Sequence, residues 1–255
     1  MYARNETELS HRYLLTILDT LRDDYCLVGG WAVYYLVNER YREANGREYL
    51  GSRDIDIGAA DLDAVRRLDT VLINEMRFEP LSFRYVKYFS YETGKELSSE
   101  IAKTVPIHEL IELYIDVLVP SNADRAKERA GFVPLDEPVL KKIFQMGKNM
   151  HHISILGHQI ALPAPEMVIS MKLNSVGNRT KGHKRIKDIC DITALCLFTG
   201  KELGTIVEEG ISNADPEKLK LIKNALHRED FRLAAGYLGM SERNIRSIMG
   251  RFSKS

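Results

Sequence analysis

Hydrophobic positions along the chain follow two regimes. Up to about residue 120, short apolar runs alternate with amphipathic and polar stretches, and from about residue 164 the apolar positions repeat at helical spacing. In the first regime, Glu6 to Leu21 places Leu9, Tyr13, Leu14 and Ile17 on one side of a predicted helix. "YCLVGG" predicts a short strand ending in a glycine turn, "WAVYYLVNER" a helix, "YREANGREYLGS" a polar connection and "RDIDIGA" a second strand. "DLDAVRRLDTVLINEM" predicts a helix capped by Asp61, with Leu62, Val65, Leu68, Leu72 and Met76 facing a core. "FRYVKYFSYE" and "LYIDVLVP" predict two further strands. Residues 121 to 150 give a mixed loop and helix pattern. "HHISILGHQIALPAPEM" then predicts a hairpin leading into a helix that starts at Pro165, a favoured first-turn position.

The expected fold class is therefore α/β (α+β). The expected division is a core over 1–120, a connecting region with a hairpin over 121–163, and a helical domain over 164–255. Within the last, "LAAGYLGMSERNIRSIMGRF" offers a helix-turn-helix at about 230–252. Ala235 supplies the small residue, Gly239 the turn and Ile245 the buried aliphatic, while Ser241 would cap a second helix carrying Arg243, Arg246 and Arg251. Any helical hairpin needs the same small residue and glycine, so nucleic-acid contact through these helices stays one option among others.

Composition narrows the class. The chain has 36 basic and 36 acidic residues, and zero net charge argues against non-specific coating of nucleic acid. Three cysteines, odd in number and without paired metal spacing, predict a reduced protein lacking structural zinc. The polar start "MYARNETELSHRY" does not look like a secretory signal, and no apolar run approaches the roughly 20 residues of a membrane span. A soluble cytoplasmic protein with no membrane partner is expected.

Two features carry chemistry. Gly29 and Gly30 interrupt the most apolar stretch of the chain, where glycine is costly unless a bare backbone is needed. In a strand, Asp54 and Asp56 share one face and Ile55 and Ile57 the other. Asp116 is a third carboxylate, embedded in apolar strand sequence, and a buried carboxylate requires a strong partner. A D-x-D pair alone is most often a solvated strand edge, and an aspartate between apolar neighbours often pairs with an arginine. Beside a diglycine turn that opens a helix, however, three carboxylates converging on a hard divalent cation form a site for metal-assisted phosphoryl transfer. Further along, Lys172 lies on an otherwise apolar helix and could merely snorkel, and Asp188 and Asp191 could pair with Lys184 or Lys187.

"LVGGWAV", "SRDIDIG" and "YIDVLV" resemble the three elements of the DNA polymerase β-like nucleotidyltransferase superfamily. "LPAPEMVISMKLNSVGNRTKGHKRIKDICDI" is similar to the pattern of its abortive-infection type IV toxin-like branch. The resemblance covers roughly residues 24 to 195, with a longer insert before Asp54 than minimal superfamily members have. It implies a small mixed-sheet nucleotidyltransferase core followed by helices. Asp54, Asp56 and Asp116 would hold two Mg²⁺ ions, with Mn²⁺ as a substitute. Gly29 and Gly30 would cradle the β- and γ-phosphates of an NTP substrate, and Ser52 and Arg53 would stand near the triphosphate. Lys172 would offset phosphate charge and Asp188 would orient it or a substrate group. The implied reaction transfers NMP to an acceptor hydroxyl on RNA such as tRNA, on protein or on a small molecule, and the toxin-like branch leaves room for an antitoxin partner. The rival from another class is a nucleic-acid-binding regulator that uses the C-terminal helices and keeps the first fold as a nucleotide sensor.

Overall fold

The computed structural model describes residues 2–21, 23–121, 133–145 and 149–252, so part of the mixed 121–150 stretch lies outside the described residues. The chain divides into two compact units. One holds residues 2–31 and 51–162; the other holds residues 32–50 and the chain from Pro163 onward. The sequence pattern groups residues 32–50 with the N-terminal core, whereas their buried side chains belong to the helical unit.

The first unit opens with α1 (Arg4–Leu18), which buries Leu9, Leu14, Ile17 and Leu18. Strand β1 (Tyr25–Val28) follows, and then α2 (Gly29–Asn45), whose residues from Ala32 onward fall in the other unit. Next come β2 (Ile55–Ala59), α3 (Leu62–Thr70), β3 (Glu79–Leu81), β4 (Arg84–Ser90), β5 (Glu96–Leu97), α4 (Ser99–Ala102) and β6 (Leu110–Val119). The unit finishes with β7 (Leu135–Asp136), α5 (Val139–Gln145) and the hairpin β8 (Met150–Ile155) and β9 (His158–Pro163), of which Pro163 is already counted with the helical unit.

The described strands other than β8 and β9 form one mixed sheet in the order β1-β2-β6-β4-β3, with β5 beside β4 and β7 beside β6. β2 and β6 run parallel, while β1–β2, β6–β4 and β4–β3 are antiparallel. Strand alternation sets which side chains meet the core. Ile111, Leu113, Ile115, Val117 and Val119 are buried on one face of β6, and Tyr85 and Phe89 lie opposite Ile115 and Ile111. Ile55 and Ile57 are fully buried on the corresponding side of β2.

Two elements differ from the sequence expectation for physical reasons. α2 begins at Gly29 itself and continues through the predicted polar connection to Asn45. Val33, Val37 and Tyr41 repeat at i, i+4 spacing and are all buried, so the charged residues between them occupy an outer face. Gly46, at φ +66°, then ends the helix in the left-handed conformation, its N–H donating 2.8 Å to the Arg42 carbonyl. The predicted helix over residues 61–76 is α3 followed by a π-helical turn at Val71–Glu75, which buries Leu72.

The second unit is helical: α6 (Pro165–Val176), α7 (Gly182–Phe198), α8 (Leu203–Asn213), α9 (Pro216–Ala225), α10 (Arg228–Leu238) and α11 (Glu242–Phe252). Its core gathers Ile169, Leu173, Ile189, Ile192, Leu195, Ile206, Ile222, Leu238, Ile245 and Phe252, together with Val33, Val37, Tyr41 and Tyr49. Gly239, at φ +68°, ends α10, and Ser241 Oγ accepts from Asn244 N–H at 3.2 Å to cap α11. Arg246 pairs with Glu242 at 2.8 Å and lies over the Phe231 ring, while Arg243 and Arg251 are exposed. Among the described residues, no helix is long and apolar enough to cross a membrane.

Asp61 caps α3 by accepting from the backbone N–H groups of Asp63 and Ala64 at 2.9 and 2.8 Å. Asp61→Ala should lower stability by about 1 kcal/mol, the usual worth of such a cap, read as a shifted urea midpoint with unchanged slope.

Candidate functional site

The site is built where β1 passes into α2. Antiparallel pairing sets Val28 opposite Asp56, so the residue after Val28 must turn directly beside the Asp56 side chain. That residue is Gly29, at φ +63° in the left-handed region that favours glycine. A Cβ placed on Gly29 would lie 1.9 Å from Asp56 Oδ2 and 2.5 Å from its carboxyl carbon. The carboxylate therefore rests against bare backbone, and no other amino acid fits without displacing it. Gly30 is buried in the first turn of α2, where a helix leaves backbone N–H donors without intrahelical partners.

β2 carries Asp56 to its neighbour. In the parallel β2–β6 pairing, Asp56 is in register with Asp116, so the two carboxylates stand side by side on one face of the sheet. Asp54 lies just before β2 and is only 7% exposed. Arg53 Nε donates to Asp54 Oδ1 at 3.3 Å, its Nη1 lies 3.7 Å from Glu6, and its guanidinium covers the Tyr2 ring. Ser52 is buried immediately before it.

Asp116 has the strong partner that its burial requires. Arg84 opens β4 directly opposite it in the antiparallel β4–β6 register, and Arg84 Nη2 donates to Asp116 Oδ2 at 2.9 Å. Arg84, Asp116 and Asp56 thus form one row across three adjacent strands. Sequence reasoning allowed for an arginine beside Asp116 without naming one. The only local signal is a cation at the start of a predicted strand, and its register becomes visible only in the sheet. Among the described residues, no group of three or more His, Cys, Asp or Glu side chains is arranged as a ready metal cage.

Lys172 and Asp188 lie in the helical unit, on α6 and α7, where both are buried. Lys172 Nζ stands 2.7 Å from Asp188 Oδ1 and 2.8 Å from Asp191 Oδ2. Arg179 Nε donates to Asp188 Oδ2 at 2.8 Å, Tyr49 Oη donates to Asp191 Oδ1 at 2.8 Å, and Lys187 also pairs with Asp191. The ammonium thus bridges two carboxylates instead of snorkelling, and it ties α6 to α7. Burial opposes the Lys172 charge, but Asp188 and Asp191 outweigh it and hold its pKa well above the usual lysine range. Burial likewise opposes the charge on Asp188, yet Lys172 and Arg179 hold its carboxyl below the usual carboxylate range. Arg179 and Tyr49 escaped the sequence reading, Tyr49 because it joins Asp191 from a distant part of the chain.

The three cysteines are free and buried. Burial pushes the Cys190 and Cys196 thiols up to about 12 and Cys26 higher still, so none supplies a thiolate nucleophile near neutral pH.

No protein-family profile matches this chain, and no curated protein matches it. Among solved structures, the chain is similar to the crystal structure of an antigenic nucleotidyltransferase-like protein from Paracoccidioides brasiliensis. The sequence identity is 19%, the match covers 86% of this chain and 92% of that chain, and the TM-score is 0.43.

Gly29→Ala should destabilise the first unit by more than about 1 kcal/mol, because the new methyl meets the Asp56 carboxylate and the φ is strained for alanine; a lowered urea midpoint checks this. In the helical unit, Lys172→Met leaves two buried carboxylates short of a cation and should cost about 3–5 kcal/mol at neutral pH, again by urea unfolding. The Asp188 pKa is lower in the folded than in the unfolded state. Its contribution is therefore present above the ordinary carboxylate range and is lost as pH falls through the folded value. Acid titration of wild type should show that loss, with a shallower acid limb in Asp188→Asn.

Proposed function

We propose that this chain is a Mg²⁺-dependent nucleotidyltransferase of the DNA polymerase β-like kind, transferring NMP from an NTP to an acceptor hydroxyl with release of pyrophosphate. The observation that carries this reading is the left-handed Gly29 turn set against the Asp56 carboxylate, with Asp116 in register beside it. Side-chain-free backbone and helix-start N–H groups suit an anionic phosphate chain, and adjacent carboxylates suit the cation that accompanies it.

The donor set fits a hard divalent cation, since Asp54, Asp56 and Asp116 offer only oxygen and Mg²⁺ is commonly held by one or two carboxylates plus water and substrate phosphate. Asp54 and Asp56 would hold the ion, Mn²⁺ being a substitute, and Asp116 would complete the set. When bound, such ions stabilise charge on the attacking and leaving oxygens. The chain's own part is positioning. Gly29 and Gly30 receive the β- and γ-phosphates along the backbone, Ser52 and Arg53 border the triphosphate, and Asp116 accepts the proton of the attacking hydroxyl. That oxygen bonds to the α-phosphorus as the bond to the β-phosphate bridge breaks, and pyrophosphate departs.

The acceptor is RNA such as tRNA, a protein or a small hydroxyl compound. The pair α10 and α11, with exposed Arg243 and Arg251 after the Gly239 turn, favours an RNA acceptor over a small molecule because cations there can meet a phosphate backbone. The same two arginines support the second reading, a nucleic-acid-binding regulator with a nucleotide-sensing first unit. That reading predicts NTP binding without pyrophosphate release.

Asp54→Asn and Asp56→Asn should each reduce pyrophosphate release from labelled NTP by at least about a hundredfold while leaving the circular dichroism spectrum unchanged. Full activity in either variant, assayed against total tRNA, protein and small hydroxyl acceptors, would end the transferase reading.

A further inference from the structure

Arg84 is held in a position that does not satisfy it. Its side chain is 18% exposed and reaches Asp116 through Nη2 alone. The guanidinium carbon lies 4.3 Å from the Tyr114 ring centroid and 4.8 Å from that of Phe83. Among the described residues its Nε is buried with no hydrogen-bond partner. A buried donor left without an acceptor is costly, and more so on a charged group. Arginine presents its donors as a rigid fork that matches two oxygens of one phosphate. The bond to Asp116 uses one prong of that fork.

Arg84, Asp116 and Asp56 occupy one row across β4, β6 and β2, so Arg84 is two strand spacings, about 10 Å, from the strand that faces the Gly29 turn. The row reads cation, carboxylate, carboxylate, and its cation is the group tied to the middle carboxylate. A triphosphate lying over the row would offer Arg84 a better acceptor than the one it has. Its departure would remove the cation that competes with a divalent ion for Asp116 Oδ2.

We infer that Arg84 is a triphosphate-receiving residue whose bond to Asp116 is exchanged for substrate phosphate oxygens, so that triphosphate and divalent-cation binding strengthen each other. The inference rests on the nucleotidyltransferase reading and adds to it a residue and a coupling. By linkage, a side chain that must leave Asp116 before a cation enters makes each ligand raise the affinity of the other. Tyr114 and Phe83 guide the exchange, because a guanidinium stacked on aromatic faces can turn in its own plane while keeping those contacts.

The test is calorimetric titration with sodium tripolyphosphate in the presence of EDTA, which needs neither turnover nor metal. Asp116→Asn removes the competing carboxylate charge and should bind tripolyphosphate more tightly than wild type, by about threefold to tenfold. The double variant Arg84→Gln/Asp116→Asn has the same net charge as wild type and should bind about tenfold more weakly than Asp116→Asn. Charge alone would move both values in the same directions, so the charge-conserving Arg84→Lys is measured beside them and separates a phosphate contact from a merely nearby ion pair. An Asp116→Asn affinity no higher than that of wild type overturns the inference, as does a double variant that binds as well as Asp116→Asn. Should Asp116→Asn fail to fold, Arg84→Lys keeps the ion pair but lacks Nε and the fork. It should bind tripolyphosphate about tenfold more weakly than wild type, and an unchanged affinity overturns the inference. Absence of tripolyphosphate binding by wild type, with and without Mg²⁺, would sink the nucleotide reading itself, whereas normal wild-type binding with unmoved variants sinks only the role of Arg84.

Discussion

A carboxylate pressed against bare backbone is the constraint on which the candidate site depends. Val28 and Asp56 are paired across β1 and β2, and the chain must turn into α2 one residue later. Any side chain at that turn would occupy the space of the Asp56 carboxyl group, so the register of two strands dictates glycine at position 29. The same turn begins a helix, whose first N–H groups lack intrahelical partners, beside the Asp56 carboxylate. Sheet register, turn conformation and site chemistry are consequences of one close approach.

The two units handle buried carboxylates in different ways. In the helical unit, Asp188 and Asp191 are surrounded by Lys172, Lys187, Arg179 and Tyr49, a network in which each carboxylate meets more than one donor. Such a network fixes helix packing, and its members are committed to one another. On the sheet, Arg84, Asp116 and Asp56 stand in one row across three strands. One arginine reaches one carboxylate through one prong and keeps a buried donor unused.

Much of the fold was legible from local pattern. Alternating isoleucines and aspartates mark β2, Asp61 marks the start of α3, Pro165 the start of α6, and Gly239 with Ser241 the break between α10 and α11. The extension of α2 to Asn45 was missed because its polar residues outnumber the single buried Tyr41 over that stretch. The π-helical turn after α3 was missed because a one-residue change in helical winding leaves the apolar spacing almost intact.

The sequence by itself determined which residue types the site contains: two adjacent glycines, three aspartates in strand-like surroundings, and a lysine with two aspartates on apolar helices. Local propensity and burial are properties of neighbours along the chain, so these could be read directly. Only the tertiary structure decided the partners. Asp116 meets Arg84 from 32 positions away, and Asp191 meets Tyr49 from 142 positions away. The physical reason is that strand register and helix docking are set by the burial of many side chains at once. A one-residue slip would turn Asp116 to the opposite face of the sheet and would rotate Asp191 by about 100° around its helix, away from Tyr49.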